Sequence, residues 1–255
     1  MGNKADLLTE EDMRSFLVEA GIWQRIREYS DAQIKPRDQI NILDWGCGRG
    51  RTVTRLLEVG FNAYGVDTNE LYLTNGRPLL AKRGYDEDER LLAVQETKRF
   101  QDGYFDIIFT QQVIEHIRDI EAVISEMARL TKSGGIGIHE FPGKYCIKES
   151  HLHIPFVHWL PKNLLRKIYL STFFRFNKEP GWRGLIGKSR GIRMHTYYEY
   201  LNEYTYYRTI HKLTSLFKKY DFDILYMNTD KENKSSFLKK NGFPQTEIFL
   251  LLHKI

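Results

Sequence analysis

Short apolar runs alternate with longer amphipathic stretches over the first 142 residues of the chain. Each run is rich in Ile, Leu, Val, Phe or Tyr and ends at a glycine or a polar turn, as buried parallel strands do. The stretches between the runs have apolar residues at helical spacing. The pattern predicts strands at 40–45, 62–66, 91–94, 104–110 and 136–141, and helices at 6–34, 51–59, 71–83 and 120–130.

This alternation predicts one α/β domain spanning residues 1–255. Strands joined by helices at such spacing form right-handed βαβ units, so we expect a seven-stranded, mostly parallel sheet with helices on both faces. The alternation stops at Pro142 and resumes only after residue 196. The other predicted elements are an N-terminal helical segment at 1–36, an insertion at 143–196, a helix at 198–220 and strands at 222–228 and 247–253.

The composition is that of a folded globular protein. Apolar residues make up 42% of the chain and charged residues 28%. No apolar run approaches the roughly 20 residues that span a bilayer, and the first residues lack the apolar centre of a signal peptide, which predicts a cytoplasmic location. The two cysteines, Cys47 and Cys146, have no zinc-site spacing with histidine, so we expect reduced thiols and no metal.

Positive charge is concentrated in the insertion. Residues 143–196 contain eleven Lys or Arg and only two acidic residues, Glu149 and Glu179, which gives a net charge of +9 in a chain whose total is +5. Charge gathered in one segment indicates a partner rather than a requirement of the fold. We therefore expect the insertion to meet an anionic partner.

A glycine-rich turn follows the first predicted strand. In the sequence ILDWGCGRG, the strand runs into Gly46, Gly48 and Gly50, and a helix follows. Glycine lets the backbone bend sharply and approach a ligand closely, and a helix N-terminus offers free N–H groups. The dinucleotide fingerprint GxGxxG needs a glycine where this chain has Arg51. The pattern here is instead GxGxG, with Asp44 two residues before it.

This turn resembles motif I of the class I S-adenosylmethionine-dependent methyltransferases. Asp67 closes the second strand 21 residues after Gly46, Glu115 and His116 match the family's Glu-His motif after the fourth strand, and LTKSGGIGIHEF resembles its helix, glycine turn and fifth strand. The resemblance implies a Rossmann-like fold with S-adenosylmethionine as cofactor. It implies that the methionine end is held by Asp44, Gly46, Cys47, Gly48 and Gly50. Asp67 would bind the ribose, and Thr68 and Asn69 would flank the adenine. Glu96 and Thr97 would lie near the adenine amine, and Gln111 would lie at the floor of the site.

Methyl transfer to an oxygen or nitrogen also requires that the acceptor lose a proton. Histidine is the side chain best suited to take it near neutral pH. Five histidines lie on the acceptor side in sequence terms, namely His116, His139, His151, His153 and His158. His139 and His116 end or follow core strands at the edge where open α/β sheets bind ligands, and His151 and His153 open the insertion. We expect the base to be His139 or His153, with His116 as a further candidate, and each can equally be a structural or surface histidine.

Four roles are open for the insertion. It can be a helical lid over the acceptor pocket, with Leu164, Leu165 and Ile168 on a buried face. Its cations, among them Arg166, Lys167 and Arg175, can bind a phosphorylated acceptor. Its helix can lie on a membrane surface, or its aromatic residues can stack on RNA bases. The first two are compatible, and together they are the favoured interpretation.

The predicted function is methyl transfer to an oxygen or nitrogen of a small anionic acceptor. The stretch HLHIPFVHWLPK resembles bacterial methyltransferases of surface-polysaccharide pathways, which favours a phosphorylated or nucleotide-linked acceptor. The fourth strand ends in TQQV rather than in the Asn/Asp-Pro-Pro-aromatic motif of enzymes that methylate base amines, so a nucleic-acid acceptor is disfavoured. Ribose or tRNA methylation and a non-catalytic, S-adenosylmethionine-binding partner subunit remain as alternatives.

Overall fold

The fold is built on seven strands with helices packed around them. The structure is a computed structural model that describes residues 21–33, 35–228 and 247–255. In chain order the strands are β1 Asn41–Trp45, β2 Asn62–Asp67, β3 Leu91–Ala93, β4 Phe105–Gln111, β5 Thr131–Pro142, β6 Phe222–Asn228 and β7 Glu247–Lys254. The helices are α1 Gly21–Ala32, α2 Arg51–Glu58, α3 Glu70–Lys82, α4 Glu87–Arg90, α5 Ile120–Leu130, α6 Leu164–Phe176, α7 Arg190–Glu203 and α8 Ile210–Lys219.

The strands form one sheet in the order β3-β2-β1-β4-β5-β7-β6. Strands β1 to β5 are parallel to one another, and β7 runs antiparallel to both of its neighbours. The order reverses between β1 and β4, and ligands of open α/β sheets bind at such a switch point, beyond the carboxyl ends of the strands. The predicted mostly parallel, Rossmann-like sheet is confirmed.

Helices cover both faces of the sheet. Ile42 and Leu43 are adjacent in β1 and both fully buried, yet they belong to different apolar clusters because successive strand residues face opposite sides. The Ile42 cluster includes side chains of α1, α2 and α3, and the Leu43 cluster includes side chains of α5. A third cluster joins α8 to β7 through Phe217 and Leu250.

The insertion has an apolar cluster of its own, formed by helices α6 and α7 and the loop before them. Leu170 and Phe174 of α6 pack with Tyr197 and Leu201 of α7, so these contacts extend past residue 196. The described part of the chain contains no helix with the length and apolar character needed to cross a membrane.

Three sequence predictions need adjustment. Only residues 21–32 of the predicted 6–34 helix appear as a helix, and residues 1–20 lie outside the described residues. The predicted 198–220 helix is two helices, because the chain between α7 and α8 leaves helical geometry to pair with the segment after β4: Tyr206 N–H donates to the Glu115 carbonyl at 2.6 Å.

The predicted buried face of α6 is the third adjustment. Leu164, Leu165 and Ile168 are 66%, 59% and 53% exposed, whereas Arg166 is buried. The guanidinium of Arg166 donates to the Leu201 carbonyl at the end of α7. Leu170 and Phe174 are buried on the same side of α6 as Arg166 and pack against α7, so the core-facing side of the helix is not the predicted one.

A close contact between α3 and the glycine turn positions the ligand edge of the sheet. A β-carbon added to Gly76 would lie 2.2 Å from the carbonyl oxygen of Arg49, far inside contact distance. Because the obstructing atom belongs to the backbone, a side chain at position 76 would displace either α3 or the turn.

We expect Gly76→Ala to lower the free energy of unfolding by about 1–3 kcal/mol, the usual cost of overpacking. Chemical denaturation measures the change. Gly191→Ala in α7 is the control, since a β-carbon there meets nothing within 4 Å and alanine favours a helix by up to about 1 kcal/mol. Equal unfolding midpoints for wild type and Gly76→Ala would contradict the close contact.

Candidate active site

The turn after β1 adopts a conformation that glycine favours at three positions. Gly46, Gly48 and Gly50 have φ angles of 85°, 55° and 70°, in the left-handed region. Gly46 N–H donates to the carbonyl of Val66 at 2.7 Å, which ties the turn to the end of β2. A β-carbon on Gly46 would lie 2.4 Å from a methyl group of Val113. Val113 thus occupies the space that a side chain at position 46 would need, which restricts this position to glycine.

Asp67 faces this turn. One carboxylate oxygen accepts from Gly48 N–H and the other from Asn69 N–H, each at 2.8 Å. The side chain is half-buried at the carboxyl end of β2. Each carboxylate oxygen keeps a second lone pair beyond the bond that it already accepts, so the group can also accept from a ligand hydroxyl.

Asp44 lies at the end of β1, 5% exposed. Burial, and secondly the negative charge of Asp67, raises the pKa of Asp44 to about 8. Without a ligand, the side chain is therefore mostly protonated at pH 7. A cation bound nearby would favour its ionised form.

Cys47 belongs to the turn, but its side chain points into the core. A β-carbon on Gly65 of β2 would lie 2.6 Å from the β-carbon of Cys47, so that glycine makes room for the thiol. Burial raises the pKa of Cys47 well above its usual range, which leaves the sulfur unreactive. Its contribution to the site is backbone geometry.

Four of the remaining predicted cofactor residues lie at the ligand edge of the sheet. Thr68 and Asn69 are exposed directly after β2, although the Asn69 side chain also caps α3. Glu96 is exposed after β3 and accepts from Ala93 N–H at 2.8 Å. Gln111 is half-buried at the end of β4. These four lie along the carboxyl edge of the sheet.

Thr97 does not join them. It is 3% exposed, and its hydroxyl lies 2.9 Å from both the Val94 carbonyl and the Glu126 carboxylate. Those contacts hold the turn after β3 against α5. The assignment of Thr97 to the adenine amine is therefore corrected to a structural role, because its polar atom is already engaged inside the protein.

His139 is also buried away from the site. It is 1% exposed, its Nδ1 lies 3.0 Å from the Thr110 hydroxyl, and its ring stacks on Phe217 at 4.9 Å between centroids. Burial lowers the pKa of His139 to about 3. The structure gives this imidazole no path to an acceptor, so its prediction as a base is corrected.

His116 and His153 differ in their surroundings. His116 follows β4 with its ring one-third exposed, and its Nδ1 lies 2.7 Å from the Tyr204 carbonyl. Because a carbonyl only accepts, Nδ1 carries the proton and Nε2 has a free lone pair. Burial lowers the pKa of His116, which favours that neutral form. His153 is exposed with a φ of 56°.

A histidine absent from the predicted site lies beside His116. The rings of His151 and His116 have centroids 4.9 Å apart. The Nδ1 of His151 lies 2.9 Å from the Glu149 carboxylate, so the proton is on Nδ1 and the Nε2 lone pair is free. Glu149 was the missed partner. Its sequence signal was an acid two residues before a histidine in a strongly basic segment.

Glu149 is fully buried and held as an anion. Burial alone would raise its pKa, but hydrogen bonds from His151, Tyr207 and the Leu152 N–H outweigh that effect and lower it. The Tyr207 hydroxyl donates to the same carboxylate. Burial and the charge of Glu149 raise the pKa of Tyr207 well beyond its usual range, so Tyr207 remains a donor.

The buried carboxylate of Glu115 completes this cluster. One ligand atom each from Glu115, His116 and His151 lie within 4.8 Å of one another. The sequence predicted no metal. Two neutral imidazoles and a carboxylate nevertheless form a donor set that suits a divalent transition metal as well as proton transfer. The Nε2 of His116 is 3.8 Å from the Glu115 carboxylate.

The cluster and the glycine turn are neighbours. Val113, whose methyl group occupies the space that a Gly46 β-carbon would need, precedes Glu115 by two residues. The insertion contributes His151 to the same place, and Tyr200 of α7 packs on that ring at 5.3 Å. The structure therefore joins the ligand edge of the sheet to the insertion.

Comparison with known proteins shows a similarity to methyltransferases over part of the chain. A family model described as a methyltransferase domain matches residues 43–138. The chain is 32% identical over 94 residues to a ubiquinone biosynthesis O-methyltransferase from Thiobacillus denitrificans (37% of this chain, 40% of that protein), and 29% identical over 107 residues to one from Nitrosomonas europaea (42% and 46%). An S-adenosylmethionine-dependent methyltransferase from Mesorhizobium loti shares the fold, with a TM-score of 0.55 and 13% identity over 92% of this chain and 98% of that one.

The matches do not show which acceptor the protein methylates. The chain spans less than half the length of these two curated relatives, and the family match ends before the insertion begins. Both relatives are named for ubiquinone biosynthesis, which gives no support to a surface-polysaccharide acceptor. Residues 43–138 are thus similar to a methyltransferase domain, and the seven-stranded sheet shares the fold of an S-adenosylmethionine-dependent methyltransferase of known structure.

Proposed function

We propose that this protein transfers a methyl group from S-adenosylmethionine to a hydroxyl oxygen of a small acceptor. One observation carries the proposal: the glycine turn with Asp67 and the imidazole of His151 with Glu149 meet at the same edge of the sheet. The first pair suits an adenosyl ligand, and the second suits removal of a hydroxyl proton. The names of the curated relatives support oxygen as the acceptor atom.

The residues present fit the cofactor. The turn leaves bare backbone at Gly48, where a β-carbon would meet nothing within 4 Å, and the Asp67 carboxylate lies next to it. S-adenosylmethionine supplies a methyl group activated by a sulfonium sulfur. Asp67 would accept from the ribose hydroxyls, and Asp44 would provide negative charge on the methionine side.

The proton of the acceptor hydroxyl goes to His151. Glu149 holds Nδ1–H, so Nε2 is aimed by its partner and would accept the hydroxyl proton. The methyl group gained by the oxygen would come from the sulfonium of the cofactor, whose methyl–sulfur bond would break to leave a neutral thioether. The anionic carboxylate then stabilises the imidazolium. Alignment of acceptor and methyl group, with water excluded, supplies the rest of the rate enhancement. The insertion contributes this base and forms the wall of the acceptor pocket.

The acceptor class has two candidates. A soluble small molecule suits the polar cluster around His151. An acceptor presented at a membrane surface is favoured by one further observation: Leu164, Leu165 and Ile168 are more than half exposed on a basic segment. A purely regulatory subunit is less well supported, since the base and the cofactor carboxylates are both present. The sequence TQQV at the end of β4 gives no support to methylation of a base amine.

Removal of the ribose ligand should abolish cofactor binding. We expect Asp67→Ala to weaken S-adenosylmethionine binding by at least about a hundredfold, since two charge-assisted hydrogen bonds are lost. Asp67→Asn, which keeps acceptor oxygen, should lose less. Asp38→Ala, an exposed acid outside the site, is the control. Isothermal calorimetry is the measurement, and unchanged affinity in Asp67→Ala would end the proposal.

Cofactor binding should release a proton near pH 7. The pKa of Asp44 in the folded protein is about 8, and a cation bound beside the carboxylate lowers this pKa. The affinity for S-adenosylmethionine should therefore rise with pH and level off above about pH 8. Calorimetry in two buffers of different ionisation enthalpy counts the proton, and Asp44→Asn should release none. No proton release by wild type at pH 7 would contradict the shift.

The same shift predicts the pH dependence of stability. Because the folded protein keeps the Asp44 proton between the unfolded value of 3.8 and about 8, its contribution to the free energy of unfolding is complete at low pH and is lost as pH rises through that window. Asp44→Asn should therefore have a flatter stability profile than wild type. Denaturant midpoints across the range measure it.

Loss of the base should reduce turnover without affecting the cofactor. We expect His151→Ala to lower kcat by about 10²–10⁴, and Glu149→Gln by less, with S-adenosylmethionine affinity unchanged. The assay follows S-adenosylhomocysteine release over a panel of hydroxylated small molecules. His153→Asn, two residues away and exposed, should behave as wild type. Equal rates for His151→Ala and His153→Asn would remove His151 from the mechanism.

A further inference from the structure

A cavity of about 410 Å³ lies where the insertion meets the loop before α8. Four cationic side chains line it, and no acidic residue of the described chain does. The aromatic rings of Tyr206 and Tyr207 form part of its wall. The four cations are Lys144, Lys162, Arg166 and Arg208.

These charges are held in place without being neutralised. Arg166 donates to the Leu201 carbonyl and the Asn202 amide oxygen, each at 3.0 Å. Lys162 donates to the Thr205 carbonyl at 2.9 Å, and Arg208 donates to backbone carbonyls after β4. All of these acceptors are uncharged. Among the described residues, none of the four cations forms an ion pair with a carboxylate.

Positive charge accumulates in the cavity lining, and the acidic side chains that offset it act from outside that lining: Glu203 on Lys162, Glu149 on Arg166 and Asp119 on Arg208. Burial, and then the neighbouring charge of Arg166, lowers the pKa of Lys162. Burial likewise lowers the pKa of Arg166 and Arg208. Like charges in a partly dry cavity repel one another more strongly than in water. An anion with several oxygens would relieve this repulsion and accept from several donors at once.

The cavity adjoins the proposed base. Tyr207 is part of the cavity wall, and its hydroxyl donates to Glu149, which holds His151. His158, another wall residue, packs against the Tyr207 ring at 4.8 Å. His151 does not line the cavity itself but is linked to its wall through Glu149 and Tyr207, so an acceptor that reaches both sites would have to pass beside Tyr207.

We propose that this cavity binds the phosphate end of the acceptor. The inference rests on the proposed function, because it names the substrate class of the same methyl-transfer site. Four cations match a phosphomonoester or diphosphate, with two or more negative charges, better than a single carboxylate. The phosphate can belong to a soluble metabolite or to a lipid headgroup. Of the cations Arg166, Lys167 and Arg175 that the sequence suggested, only Arg166 lines the cavity.

Lys144 offers the cleanest test. Its ammonium group lies 6.0 Å from the Tyr145 ring, and it holds none of the backbone carbonyls that Lys162, Arg166 and Arg208 hold, so its replacement should not disturb folding. Lys148, four residues later, is exposed and lies outside the cavity. It is a matched control for net charge.

The experiment titrates the full chain with inorganic pyrophosphate by calorimetry at fixed ionic strength. Wild type should bind saturably, Lys144→Gln should weaken binding about tenfold, and Lys144→Glu should weaken it further, while Lys148→Gln and Lys148→Glu match wild type. A parallel arm measures sedimentation with phosphatidylcholine vesicles that contain phosphatidic acid. Dependence on Lys144 only in the vesicle arm would assign the phosphate to a lipid.

Two results would overturn the proposal. One is no saturable binding in either arm, and the other is equal weakening by the Lys144 and Lys148 variants, which indicates nonspecific charge attraction. S-adenosylmethionine affinity, measured on the same samples, separates this proposal from the function. If the protein binds the cofactor but neither pyrophosphate nor vesicles, the phosphate site is wrong and the methyl-transfer function stands. If it binds pyrophosphate but not the cofactor, the methyl-transfer function is wrong.

Discussion

The contact between Gly48 and Asp67 is the constraint on which the site depends. It joins the turn after β1 to the end of β2, and so places a carboxylate beside backbone that carries no side chain. The neighbouring parts of the fold maintain this contact. Gly76 lets α3 approach the turn, and Val113 fills the space beneath Gly46. A change in any of these packing contacts moves both halves of the cofactor site together.

The insertion is joined to the sheet through polar contacts as well as apolar ones. His116 donates to the carbonyl of Tyr204, and His151 approaches the ring of His116 from the insertion. The buried anion of Glu149 organises the insertion side, because it accepts from His151, Tyr207 and the Leu152 N–H. Removal of one partner would leave a buried charge poorly solvated. The same carboxylate therefore serves structure and the proposed chemistry.

Two regions of opposite charge lie on either side of Tyr207. Glu149 and Glu115 are on one side, with the imidazoles between them. The cations of the cavity are on the other, held by uncharged carbonyls. Tyr207 separates the two regions and donates to the anion, which reduces direct neutralisation of one by the other. An acceptor that spans both regions would meet a base at one end and donors for an anion at the other.

The sequence by itself determined the sheet, the glycine turn and the carboxylate of Asp67. Those features follow from local pattern: apolar runs of strand length, glycines at positions that need a left-handed backbone, and an acid at a strand end. Tertiary structure decided the rest. Thr97 and His139 are buried because polar groups distant in the chain, Glu126 and Thr110, bind them. The exposed side of α6 is the one opposite Arg166, Leu170 and Phe174, which contact α7. His151 became the preferred base among the acceptor-side histidines through its contacts with Glu149 and with His116, 35 residues earlier. Contacts between residues far apart in the chain leave no periodic signal, so no local pattern could have shown them.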